Sequence, residues 1–120
     1  MEHELFQPTV RVGTHEWGFM EWRVEEPSTP GAGMSLAWMV LFPGKETPIH
    51  RHPNCNEALT LMDGAIEEKI DGKSFVPRPG ETLYAPAGAA HQVINAGKTE
   101  ARMMVAYSQG ERVFEALGKF

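Results

Sequence analysis

The segment His50-Arg51-His52 places two imidazoles two residues apart. On an extended strand that spacing projects both from one face while Arg51 points away. Paired imidazoles of this kind suit a metal ion, although the same pattern on a strand is also met by chance. Glu57 follows His52 by five residues, an odd offset that on one continuous strand would face the opposite side. Pro53-Asn54-Cys55-Asn56 interrupts that strand, and a bend there can turn the carboxylate back toward the imidazoles. His91 follows the turn Pro86-Ala87-Gly88-Ala89-Ala90 and can come across from a neighbouring antiparallel strand. The competing reading leaves His50 and His52 as hydrogen-bonded structural histidines, His91 as a turn residue and Glu57 as a surface charge.

Elements short enough to hold such residues are what the rest of the chain describes. Its 120 residues include 12 Gly and 9 Pro, too many turn formers for a helical bundle and suited to short strands joined by tight turns. With 42% hydrophobic and 22% charged residues the composition is that of one globular domain spanning 1–120, with no linker or repeat dividing it. Turn residues mark off strands expected near 9–12, 16–24, 35–42, 47–52, 57–62, 65–70, 73–76, 81–85, 90–94 and 101–107. Asp71-Gly72 between two of them signals a hairpin with a primed turn. The stretch 110–117 reads as a short closing helical turn. Regularly spaced strands of this length point to an all-β barrel or jelly roll. Leu36 to Phe42 is apolar on both strand faces, so its outer face needs cover from the 9–24 region or from a second copy, and a homodimer is expected.

The spacing of these residues resembles that of the cupins, small β-barrels whose first motif reads G-x5-H-x-H-x3,4-E-x6-G and whose second reads G-x5-P-x-G-x2-H-x3-N. Gly44, His50, His52, Glu57 and Gly64 stand at the first spacing, and Gly80, Pro86, Gly88, His91 and Asn95 at the second. The resemblance spans Gly44–Gly64 and Gly80–Asn95. It implies a double-stranded β-helix (jelly-roll) barrel and a mononuclear metal site held by His50, His52, Glu57 and His91. Three neutral imidazoles and one carboxylate form an N3O set suited to a divalent Mn, Fe, Ni, Co or Zn ion. A divalent ion with one carboxylate leaves a local positive charge that attracts small organic anions or enolisable compounds. Four protein ligands on an octahedral ion leave two positions open, which suits a dioxygenase. A lyase or isomerase without dioxygen chemistry, or a non-catalytic small-ligand module, uses the same motifs.

Other residues are less distinctive. Tyr84 is the candidate catalytic acid or base, and Tyr107 offers a second hydroxyl; both also suit an amphipathic barrel strand. Arg23 and Arg102 can anchor a substrate carboxylate or simply face solvent. Cys55 lies between two candidate ligands and reads as a bystander, Asn95 as a turn former, and His3 and His15 as ordinary polar residues. The methionines and tryptophans read as core. The net charge of −5, with no basic cluster, argues against nucleic acid. The absence of a long apolar run argues against a membrane span. A single cysteine and no apolar leader fit a reducing cytoplasm.

Overall fold

Eleven strands make up the regular structure of this computed structural model, which describes residues 11–26 and 28–120. They are β1 (Arg11–His15), β2 (Gly18–Val24), β3 (Ser35–Leu41), β4 (His50–Arg51), β5 (Glu57–Asp63), β6 (Glu67–Ile70), β7 (Lys73–Phe75), β8 (Thr82–Ala85), β9 (His91–Ile94), β10 (Ala101–Tyr107) and β11 (Glu115–Ala116). His3 and the start of the strand expected near 9–12 lie outside the described residues. The strands form two antiparallel sheets, one of six in the order β1-β2-β3-β10-β5-β8 and one of five in the order β11-β4-β9-β6-β7. The expected all-β jelly roll is the architecture observed.

Period-two patterning builds the larger sheet. Ala101, Met103, Val105 and Tyr107 of β10 turn inward while Arg102 faces solvent. Register carries the pattern sideways: Met103 lies between Met39 and Leu61, Val105 between Ala37 and Leu59, and Tyr107 between Ser35 and Glu57. Ala37, Met39, Leu59, Leu61, Met103, Val105 and Tyr107, with Met20, Trp22, Ile66 and Val93, form one continuous apolar core. Glu57 ends the inward row at its polar end, beside Tyr107.

Two turns show why particular residues are needed. Asp71 and Gly72 both adopt positive φ, 50° and 83°, as the primed turn of the β6–β7 hairpin requires. Gly64, at φ 89°, passes so close to β10 that a Cβ there would lie 2.7 Å from the Glu100 carbonyl oxygen and 2.9 Å from Ala101 Cα. Only glycine fits.

Three expectations change. The stretch 110–117 is extended, not helical: Glu115 pairs with Arg51 and Ala116 with His50, and Leu117 N donates to Ile49 O at 2.7 Å. A helix of eight residues is marginal alone, whereas the open edge of β4 offers it ladder partners. The strand expected over 47–52 shrinks to His50–Arg51 because Pro48 has no N–H to continue the ladder. The 9–24 region pairs beside β3 through β2 rather than lying across its outer face, so Leu36 and Trp38 stay half-buried.

Candidate metal centre

The four motif side chains come from three short elements and one bend, and the two sheets face each other across them. His50 and His91 are register partners on β4 and β9 of the smaller sheet. His52 sits just beyond β4. Glu57 opens β5 in the opposite sheet, level with Tyr107 and Ala85. The chain thus crosses from one sheet to the other between Pro53 and Asn56. This crossing resolves the odd offset, because strand parity restarts on the facing sheet and the carboxylate points inward from there.

All four residues are buried, and one donor atom from each lies within 4.8 Å of the others. The ring centroids of His50 and His91 are 4.2 Å apart, those of His50 and His52 4.9 Å, and those of His52 and His91 5.2 Å. Each Nδ1–H donates to a backbone carbonyl: His50 to Pro48 at 2.7 Å, His52 to Val113 at 2.8 Å, His91 to Ala89 at 3.1 Å. With the proton fixed on Nδ1, every Nε2 presents a lone pair. The Nε2 atoms of His52 and His91 are buried without a hydrogen-bond partner and lie 3.3 and 3.4 Å from Glu57 Oε1. Lone pairs aimed at a carboxylate repel unless a cation or proton stands between them. These orphaned nitrogens and the donor chemistry fit a divalent ion.

Electrostatics prepare the same state. Burial, reinforced by the neighbouring His91, pulls His50 down to about 4, so it is neutral at physiological pH. Burial opposes the Glu57 charge, but the His52 and His91 imidazoles beside it outweigh burial and hold the carboxyl well below the usual range. Burial also works against protonated His91, and Glu57 beside it turns the balance upward.

The cluster borders a cavity of about 370 Å³ whose wall includes His50, Glu57 and His91, the apolar Trp17, Met20, Met39, Leu59, Val93 and Val105, and the polar Thr47, Tyr107 and Arg112. Tyr107 is buried there, and burial together with Glu57 holds its phenol well above the usual value. Tyr84 is not brought to the site: it is 59% exposed, because it pairs with Ala58 on the outer face while its neighbour Ala85 pairs with Glu57 inside. Arg102 is exposed on the outer face, and Arg23 packs its guanidinium 6.0 Å from the Trp38 ring centroid. Neither borders the cavity. Cys55 is buried in the core, its thiol pushed up by burial and by Glu57. Asn95 ties a turn, with Nδ2 donating to Leu41 O and Thr99 O and Oδ1 accepting from Gly97 N.

Three residues of this region carried no motif. Phe114 stacks on His50 with centroids 4.6 Å apart, and Arg112 stands beside it; both lie in the stretch expected to be helical. Glu68 is fully buried on β6, and burial, with Glu57 adding repulsion, raises its carboxyl to about 8. Its signal was present: Ile66 and Ile70 flank it at the same strand parity.

Comparison with known proteins follows the same lines. The cupin domain family model matches residues 37–107, more than half of the chain. A germin-like protein of Brassica napus is 36% identical over 87 residues, which are 68% of this chain and 42% of that protein. An oxalate oxidase of Triticum aestivum is 36% identical over 92 residues, 70% of this chain and 41% of that protein. The chain therefore spans about two fifths of the length of these curated relatives. Among solved structures, an oxalate oxidase in complex with the substrate analogue glycolate superposes with a TM-score of 0.82 at 28% identity, over 95% of this chain and 64% of that one. Jelly-roll topology, a converged set of three histidines and a glutamate, and a family match that contains all four ligands together place this chain in the cupin family.

Proposed function

We propose that this chain is a mononuclear metal cupin that binds a small carboxylate anion at the metal and oxidises it with dioxygen. The observation that carries this reading is the convergence of the four donors beside a largely apolar cavity of about 370 Å³, with His50, Glu57 and His91 on its wall and room for a small molecule. Similarity to oxalate oxidases over about 70% of the chain supports the choice of a carboxylate and of dioxygen.

His50, His52, Glu57 and His91 would hold the ion. A bound Mn or Fe ion supplies Lewis acidity and electron exchange. The chain's own residues do the rest. The backbone carbonyls of Pro48, Val113 and Ala89 aim the three imidazoles, and Glu57 leaves a net positive charge for an incoming anion. Tyr107, kept protonated by burial and by Glu57 beside it, is no base. Trp17, Met20, Met39, Leu59 and Val105 keep water from the bound anion. Tyr84 has no part in this chemistry. Homodimer formation over the half-buried Leu36 and Trp38 face belongs to the same proposal and is read by sedimentation.

The test begins with elemental analysis after loading with Mn, Fe, Co, Ni or Zn. Oxygen uptake is then followed with oxalate, glycolate and short dicarboxylates. About one ion per chain, and uptake that disappears in His50→Ala, are expected. Turnover that persists without dioxygen would replace the oxidase with a lyase or isomerase, and failure to take up any of these metals would end the metal reading.

A further inference from the structure

The cavity holds one strong charge that the metal site does not account for. Arg112 lies in the segment that returns across the barrel mouth after β10, and it shares the cavity wall with His50, Glu57 and His91. Its guanidinium carbon stands 4.9 Å from the Trp22 ring centroid, 5.1 Å from Tyr107 and 5.7 Å from Phe114. Nη2 approaches Met20 Sδ at 3.8 Å, and Nε is buried without a hydrogen-bond partner. Among the described residues no carboxylate lies within ion-pair distance of it, whereas Arg11 is held by Glu25, Arg51 by Glu115 and Arg78 by Glu81. Arg102, which also lacks such a partner, is in water. Of the acids lining the next opening, Glu25 is engaged by Arg11 and Glu26 by the Gly31 N–H at 2.6 Å, and Glu111 is not within ion-pair distance of Arg112.

Aromatic faces attract a cation but accept none of its five N–H groups in the plane of the fork. A half-buried guanidinium with an unfilled donor is therefore an incomplete interaction, and a carboxylate in the cavity completes it. The charge also reaches the rim. Burial lowers His15 first, and repulsion from Arg112 lowers it further. Phe114 packs against both His50 and Arg112, and Tyr107 against both His52 and Arg112. The guanidinium and the metal-binding cluster thus line one cavity and share two aromatic neighbours.

We propose that Arg112 is the specificity anchor of this cavity: it binds one carboxylate of the ligand while the other end faces the His50, His52, Glu57 and His91 cluster, so that the cavity selects dicarboxylates with a carbon spacer over monocarboxylates. This assignment rests on the cavity being the substrate site of a metal cupin. The guanidinium binds and orients; it takes no part in proton or electron transfer.

Succinate and butyrate test it, because they have the same chain length and differ by one carboxylate. Calorimetric titration of metal-loaded wild type is expected to show succinate binding about 10- to 100-fold tighter than butyrate, the range of one charge-assisted fork. Arg112→Met keeps an unbranched side chain among the aromatic rings and should bring that ratio close to one. Arg112→Lys, which keeps the charge but loses the fork, should fall between. Near-ultraviolet circular dichroism and metal stoichiometry of the same samples show that the variants are folded and loaded. A succinate preference unchanged in folded Arg112→Met, or no preference in wild type, would overturn the assignment. If wild type takes up no metal, the reading under Proposed function fails separately. The succinate preference is then read on metal-free protein, where its loss in Arg112→Met still supports Arg112 and its retention rejects it.

Discussion

His91 offers its two ring nitrogens to opposite partners: Nδ1–H donates to the Ala89 carbonyl at 3.1 Å, and Nε2 lies 3.4 Å from Glu57 Oε1. In the absence of an ion, the Glu57 carboxylate favours a proton on that second nitrogen, against the opposing effect of burial. A metal ion and that proton compete for one lone pair. Metal uptake should therefore release a proton, and apparent affinity should fall about tenfold for each pH unit below the His91 titration. Competition with a chromophoric chelator across the mildly acidic to neutral range reads this directly, and a flat profile would show that ion and proton occupy different places.

Asn54 holds the return segment onto the site from outside the ligand set. Its Oδ1 accepts from Val113 N at 2.8 Å and its Nδ2 donates to Glu111 O at 3.0 Å. The carbonyl of the same Val113 orients His52. Asn54→Ala is expected to weaken metal binding about 10-fold or more while costing about 1–2 kcal/mol of stability. Metal titration and denaturant unfolding of the same variant separate the two effects, and an unchanged affinity would show that Val113 is held without Asn54.

Glu68 gives a pH signature to the metal-free protein. Its folded-state value of about 8 lies above the reference 4.5, so the folded state retains a proton that the unfolded chain loses. Below the unfolded value there is no difference between the states. As pH rises toward 8 the stability associated with the bound proton is lost. Glu68→Gln should match wild type near pH 4 and become more stable than wild type as pH rises toward 8, by an amount on the order of a few kcal/mol. Thermal unfolding of the two apoproteins across this range is the measurement, and parallel curves would mean that Glu68 is ionised inside the barrel.

Gly64 has no room for a side chain against β10. Gly64→Ala combines a strained φ of 89° with a clash on the Glu100 carbonyl, and a loss of about 2–4 kcal/mol is expected. Gly72, equally positive in φ but facing open space, is the control and should lose less when changed to alanine. Equal losses at both positions in denaturant unfolding would show that backbone strain alone sets the cost.

The candidate ligands were legible in the sequence because they stand at the cupin motif spacing, and turn residues mark where the strands must stop. His50, His52, Glu57 and His91 meet as the motif resemblance implies. Tyr84 was misplaced by a single step of strand parity, since Ala85 and not Tyr84 shares the inward side with Glu57. Arg112 and Phe114 were hidden for another reason. A short segment with no strong periodicity takes its structure from whatever edge it meets, and here it meets β4. Glu68 was recoverable from its flanking isoleucines, but burial of a carboxylate runs against the ordinary reading of a Glu-Glu pair.

The return segment divides the labour of the barrel. The ligands all fall within 37–107, the stretch matched by the family model, whereas Arg112, Val113 and Phe114 lie beyond it. The common scaffold thus brings the donors for an ion and most of the cavity wall, and the segment after β10 adds Arg112 and Phe114 to that wall. Two proteins can agree at every position of the scaffold and still receive different molecules. Swapping this segment between relatives is accordingly a route to new substrate choice that leaves the ion's own ligands untouched.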